Sequence, residues 1–166
     1  KLKQKRPQDL KKIVPIIGDI SKTRLGIEAE DEQKLIDDVS VVFHSAATLS
    51  FNEPLNVALN INYEGTRRLL ELCKKMKTLD AFVYISTAYS NSNKKVIEEV
   101  IYPPPANVHD VYKSLEKCSG LNIPFFLSGD QPNTYTFTKA LAENLVAKNH
   151  PTIPSVIVRP SLEVPK

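Results

Sequence analysis

Four short apolar runs, rich in β-branched residues, alternate along this chain with segments of helical periodicity. The runs occupy residues 12–20, 40–47, 80–89 and 155–160, and the helical patterns between them span 28–39, 54–76 and 132–149. Strands separated by helices pair in parallel, because each helix carries the chain back across the sheet in a right-handed crossover. The sequence therefore predicts an α/β fold with a doubly wound parallel sheet, covered by helices on both sides. Pro15 cannot donate to a strand ladder and places the first run at an edge.

A chain of 166 residues that is 42% hydrophobic fills one core and is too short for two ordinary domains. Residues 1–166 are thus expected to form a single unit. One long polar stretch, residues 90–131, interrupts the alternation and holds Pro103-Pro104-Pro105. Connections of that length are seldom mere spacers. Lys and Arg number 22 against 19 Asp and Glu, and the net charge of +3 is too mild for a nucleic-acid partner but suits a phosphate-bearing small ligand. Cys73 and Cys118 are too few for a disulfide framework and lack zinc-ligand spacing, so no metal is expected and a reducing, intracellular compartment is. No stretch approaches the roughly 20 apolar residues of a membrane-spanning helix.

Ligands of open parallel sheets sit beyond the carboxyl ends of the strands. Asp19, the segment His44 to Ala47, and the hydroxyls of Ser86 and Thr87 all fall at those ends. Alternation along a strand sends one of the two hydroxyls toward the crevice and the other away. Thr87 is the first candidate and Ser86 its substitute. Tyr135 and Lys139 stand four apart on a helical pattern, which stacks phenol and ammonium on one face. A fixed positive charge there favours phenolate and makes the tyrosine a better proton donor and acceptor.

Other positions carry two readings each. Asn62 lies inside a helix that its amide does not favour; it either holds a kink or a proton-relaying water near Lys139, or is simply exposed. Asp19 after Gly18 either accepts from an adenine amino group or closes an ordinary turn. Arg159 before Pro160 either positions a cofactor carboxamide or phosphate or marks a strand end. His44, beside alanines on a buried strand, reads as a satisfied core residue.

Together these segments resemble the fatty acyl-CoA reductases of the male-sterility-protein type, within the extended short-chain dehydrogenase/reductase superfamily. The likeness rests on His44-Ser45-Ala46-Ala47-Thr48 with Phe51-Asn52-Glu53-Pro54-Leu55, on Asn62-Tyr63-Glu64-Gly65-Thr66, on Phe82 to Asn91, and most specifically on Pro132 to Glu143. It implies a Rossmann-type fold, NADPH as cofactor with NADH not excluded, and a fatty acyl-CoA substrate reduced through the aldehyde to an alcohol. By position, Tyr135 becomes the proton donor, Lys139 its pKa-lowering partner and ribose ligand, and Thr87 the hydroxyl partner. Asn62 matches the superfamily asparagine, Asp19 and Ile20 the adenine contact, and Ala46 and Ala47 the loop under the nicotinamide. The resemblance places the longer parent protein at peroxisomal or endoplasmic-reticulum membranes and leaves oligomeric state open. Alternatives are another enzyme of the superfamily, such as a nucleotide-sugar epimerase or dehydratase, or an incompetent truncated product.

One departure is plain. The family opens on a strand, glycine-rich turn and helix that cradle pyrophosphate, and no such fingerprint is found among the five glycines here. The expectation is an interior fragment, a partial Rossmann sheet lacking its first βαβ unit. In the usual strand order, the first run would then either pair directly with the second or hang loosely attached, and dinucleotide binding would be weak.

Overall fold

The computed structural model describes residues 2–117 and 130–161. Cys118, part of the long insertion and the terminal residues 162–166 lie outside the described residues. Among those described, three strands form one parallel sheet in the order β1 (Val41–His44), β2 (Ala81–Ile85), β3 (Ser155–Val158). The register pairs Val42 with Phe82 and Tyr84 with Ile157. These are the second, third and fourth apolar runs of the sequence.

The helices are α1 (Ala29–Asp38), α2 (Leu55–Ala58), α3 (Gly65–Cys73), α4 (Val108–Lys117) and α5 (Thr134–Asn149). A π-helical segment, Leu59–Glu64, joins α2 to α3 without leaving helical backbone, so the predicted 54–76 helix is one rod with a widened middle. Phe82 and Tyr84 point to the side of the sheet where Leu70 and Cys73 of α3 and Ala142 and Val146 of α5 close the main core. Each large apolar side chain so buried contributes roughly 1.5–3 kcal/mol. A second cluster joins Leu55, Leu59, Phe137 and Leu141 to Val111, so the insertion's helix α4 packs on the rod and on α5.

Two expectations fail here. Residues 13–19 form no strand; short helical turns cover Leu2–Lys5 and Pro7–Lys12, and Ile17 is 88% exposed. No described strand lies beside this segment, so water rather than a ladder satisfies its backbone. Among the described residues it is tied on at its end, by the Asp19 N–H to the Leu25 carbonyl at 2.7 Å and by Arg68 to the Ile20 carbonyl at 3.0 Å. Nor, among the described residues, is the sheet covered on both sides. Helices cover the Phe82 and Tyr84 face, whereas Phe43 on the other is 70% exposed and Val41, Val156 and Val158 are exposed with it.

Candidate active site

Helix α5 begins where Asn133, after Pro132, accepts the Thr136 N–H on its side chain at 2.9 Å. That cap satisfies one of the donors a helix start leaves free. Beyond it every residue from Tyr135 to Glu143 is buried, so this helix has no solvent face over its first half. Tyr135, Lys139 and Glu143 follow one another at four-residue intervals and share one side.

That side meets the end of β2. Lys139 Nζ donates to the Ile85 carbonyl at 2.7 Å and lies 4.3 Å from the centre of the Tyr84 ring. Ser86 Oγ donates to Glu143 Oε1 at 2.5 Å. The Thr87 hydroxyl accepts the Tyr89 N–H at 3.2 Å and, beside Tyr135, favours the ionised form of the phenol. Phe51 packs across the Tyr135 ring at 5.7 Å between centroids. Three consecutive residues, 85 to 87, are thus each met by one residue of α5.

Burial dominates the electrostatics of this group. Burial raises the Tyr135 pKa above its ordinary 10, and the Thr87 hydroxyl opposes this only in part. Lys139, one turn further along the helix, is itself desolvated. Its own pKa is pushed down to about 8 by burial, with Glu143 acting the other way, and its ammonium is turned onto Ile85 and Tyr84. Tyr135 is therefore a protonated phenol at neutral pH, the form a proton donor requires.

Asn62 lies in the π-helical segment and is almost fully buried, not exposed. Its Oδ1 accepts the Thr48 N–H at 2.9 Å and its Nδ2 donates to Thr138 Oγ1 at 3.0 Å. It therefore ties the loop after β1 to α5, one residue before Lys139. Ala46 and Ala47 stand in that loop at the carboxyl end of β1. His44, just before it, is buried against Thr66 Oγ1 at 2.8 Å, and burial lowers its pKa to about 4.

Two predicted residues are turned elsewhere. Ser86 and Arg159 both bind Glu143, Arg159 through Nε to Oε1 at 2.9 Å and Nη2 to Oε2 at 2.8 Å. Arg159 also donates to the carbonyls of Glu98 at 3.1 Å and Val100 at 2.9 Å. Its guanidinium is spent inside the chain, and a free cofactor-positioning role does not match these contacts. Asp19 and Ile20 form a corner whose contacts among the described residues are local and to the rod. Asp19 Oδ1 accepts from the Ser21 N–H and hydroxyl, and Ile20 lies against Gly65. Sequence reasoning missed Glu143 altogether; its place four residues beyond Lys139 was the available signal.

A parallel sheet whose strand ends meet a helix-borne tyrosine and lysine defines a Rossmann-type fold of the short-chain dehydrogenase/reductase kind. The terminal R domain of the myxalamid PKS-NRPS biosynthetic pathway shares this fold, with a TM-score of 0.65 over 94% of this chain and 34% of that one at 22% identity. UDP-glucuronic acid 4-epimerase from Bacillus cereus, solved with NAD, superposes at a TM-score of 0.56 over 84% of this chain and 37% of its own, at 26% identity. Within that class the chain belongs to the male sterility protein family, whose model matches residues 1–164. Fatty acyl-CoA reductase 1 of Xenopus laevis is 44% identical over 98% of this chain, which spans 32% of that relative's length.

Proposed function

We propose that this chain supplies the proton-donating side of the reaction site in an NADPH-dependent fatty acyl-CoA reductase, which takes a fatty acyl-CoA thioester through the aldehyde to a fatty alcohol. The observation that carries the reading is the placement of buried Tyr135 and Lys139, one helical turn apart, against the end of β2, where Lys139 donates to the Ile85 carbonyl and Thr87 follows two residues on. Membership of the male sterility family and likeness to fatty acyl-CoA reductase 1 support the substrate class.

The residues suit the two ends of a dinucleotide. An ammonium has three N–H donors, and Lys139 gives one to Ile85 while facing the Tyr84 ring, which leaves capacity for a ribose hydroxyl. Ala46 and Ala47 let a flat ring approach the backbone after β1. Asp19 commits Oδ1 to Ser21 and keeps Oδ2 for a base amino group. The pyrophosphate has no glycine-rich cradle in this sequence, so the 166-residue chain alone is expected to bind NADPH or NADH weakly. Micromolar affinity on titration would overturn that expectation.

A bound reduced nicotinamide supplies hydride. Thr87 and Tyr135 hydroxyls then hold the oxygen of the thioester carbonyl as negative charge gathers on it. Collapse of that adduct breaks the carbon–sulfur bond and expels a thiolate, whose conjugate thiol ionises near pH ~8.5, so its departure needs little proton help. A second reduction turns the aldehyde into an alkoxide. Here the Tyr135 proton goes to oxygen and completes the alcohol. Purified protein of the relatives' full length, assayed with acyl-CoA and with nucleotide sugars, tests the reading. Acyl-CoA-dependent oxidation of NADPH with fatty alcohol formed is expected, and turnover of the sugar nucleotide alone would replace this assignment with an epimerase or dehydratase.

A further inference from the structure

Glu143 is a 2% exposed carboxylate that receives donors from three separate segments. Ser86 Oγ reaches Oε1 at 2.5 Å from the residue after β2, and Ser90 Oγ reaches the same oxygen at 2.8 Å from the turn Ala88–Asn91. Arg159, the residue after β3, closes both oxygens at 2.9 and 2.8 Å, and Asn91 Nδ2 lies 3.5 Å from Oε2. Removing a carboxylate from water is costly unless several donors replace that water. Burial pushes the Glu143 pKa up, yet the hydrogen bonds from Arg159, Ser86 and Ser90 outweigh it and hold the group ionised.

The placement matters because Ser86 lies between the two residues that meet Lys139 and Tyr135. Ile85 and Thr87 cannot move independently of it, since the peptide units joining them are planar and each bond advances the chain by a fixed length. We propose that Glu143 is a positioning residue: by gripping Ser86 and Ser90 it fixes the strand end at which the Ile85 carbonyl meets Lys139 and the Thr87 hydroxyl meets Tyr135. Arg159 extends the grip, because the guanidinium that neutralises Glu143 also holds the Glu98 and Val100 carbonyls of the insertion and lies over the Tyr102 ring. The insertion is thereby registered on the site through one ion pair. Only the catalytic consequence of this role rests on the reductase reading above.

The test is a pH titration of the Tyr135 phenol, followed by the 13Cζ signal of labelled tyrosine and assigned with Tyr135→Phe. In Glu143→Gln the strand end loosens, Thr87 withdraws, and the Tyr135 midpoint shifts upward because burial is less opposed. Ser86→Ala combined with Ser90→Ala keeps the Glu143 and Arg159 pair and should shift it the same way, so the result stands even if the charge-neutral variant fails to fold. An unchanged midpoint in either folded variant overturns the role and leaves Glu143 a purely structural ion pair. In the full-length enzyme Glu143→Gln is expected to lower kcat by roughly 10- to 100-fold with little change in KM. A rise in KM with kcat intact would also overturn it. Absence of acyl-CoA turnover in the wild type would sink the reductase reading alone, because the phenol titration uses no substrate.

Discussion

Lys139 donates to the carbonyl of Ile85 at 2.7 Å, across 54 positions of sequence, and so belongs to the end of β2 as much as to its own helix. An ammonium 3% exposed has lost most of its hydration, and one carbonyl and the Tyr84 ring replace only part of it. The depressed pKa of about 8 is the result. A lysine so placed is charged at neutral pH but near the point of losing its proton.

This position makes stability depend on pH. Between about 8 and 10.5 the unfolded chain binds a proton at Lys139 that the folded chain does not, so stability rises with pH across that window. The full span corresponds to about 3 kcal/mol. Urea denaturation at pH 7.5 and 10.5 should show this rise in the wild type and its loss in Lys139→Met. Parallel pH dependences in the two proteins would mean that the ammonium is better solvated than its burial indicates.

Arg159 and Glu143 give a dependence of the same sense in a more acidic window. The Glu143 pKa lies below its ordinary 4.5, so its contribution to stability is present above that pH and is lost as pH falls through the lower folded value. Arg159→Ala strands the carboxylate in the interior and should cost about 3–5 kcal/mol at pH 7. The deficit should shrink toward pH 4.5, where the stranded carboxyl takes up a proton and no longer needs a counter-ion. Chemical denaturation at several pH values measures it, and a cost that does not vary with pH would point to lost packing on Tyr102 instead.

What the sequence conveyed and what it withheld follow from the range of the interactions concerned. Tyr135, Lys139 and Thr87 were legible because helix spacing and the termination of an apolar run are local patterns. Ser86 was correctly put at a strand end, but its partner 57 residues later was invisible, and the same carboxylate took Arg159 from any outward role. The 12–20 run had the composition of a strand, yet strand formation needs a neighbouring edge that composition cannot supply. Asn62 was visible as an anomaly inside a helix. That it would sit in a π-helical segment, bridging Thr48 and Thr138, depended on a loop and a helix folding around it.

Gly65 offers a check on how the Asp19 corner is held. A Cβ at this position would meet Ile20 Cγ1 at 2.5 Å, closer than side chains tolerate. Gly65→Ala should gain up to about 1 kcal/mol of helix propensity yet lose about 1–3 kcal/mol to overpacking, for a net destabilisation. In an Ile20→Ala background the side-chain clash is gone and only the carbonyl oxygen of residue 20 stays close, at 3.3 Å, so the same substitution should lose most of its cost. Thermal unfolding of the four proteins of this cycle decides it, and an undiminished destabilisation without the Ile20 side chain would mean that the backbone approach of the rod, not Ile20, requires glycine.

Tyr135→Phe separates the two reductions proposed for the full-length enzyme. Loss of the hydroxyl removes one of two groups holding the thioester oxygen, but the departing thiolate needs no proton, so aldehyde formation should fall only by the worth of that hydrogen bond. Alkoxide formed from the aldehyde has no such exit. It must take a proton at once or return its hydride, and the raised Tyr135 pKa makes the phenol the stored source. Single-turnover assays with an acyl-CoA and with the matching fatty aldehyde should therefore show aldehyde reduction lost by roughly 100-fold or more, and thioester reduction by clearly less. Equal losses in both assays would assign Tyr135 to substrate orientation rather than proton delivery.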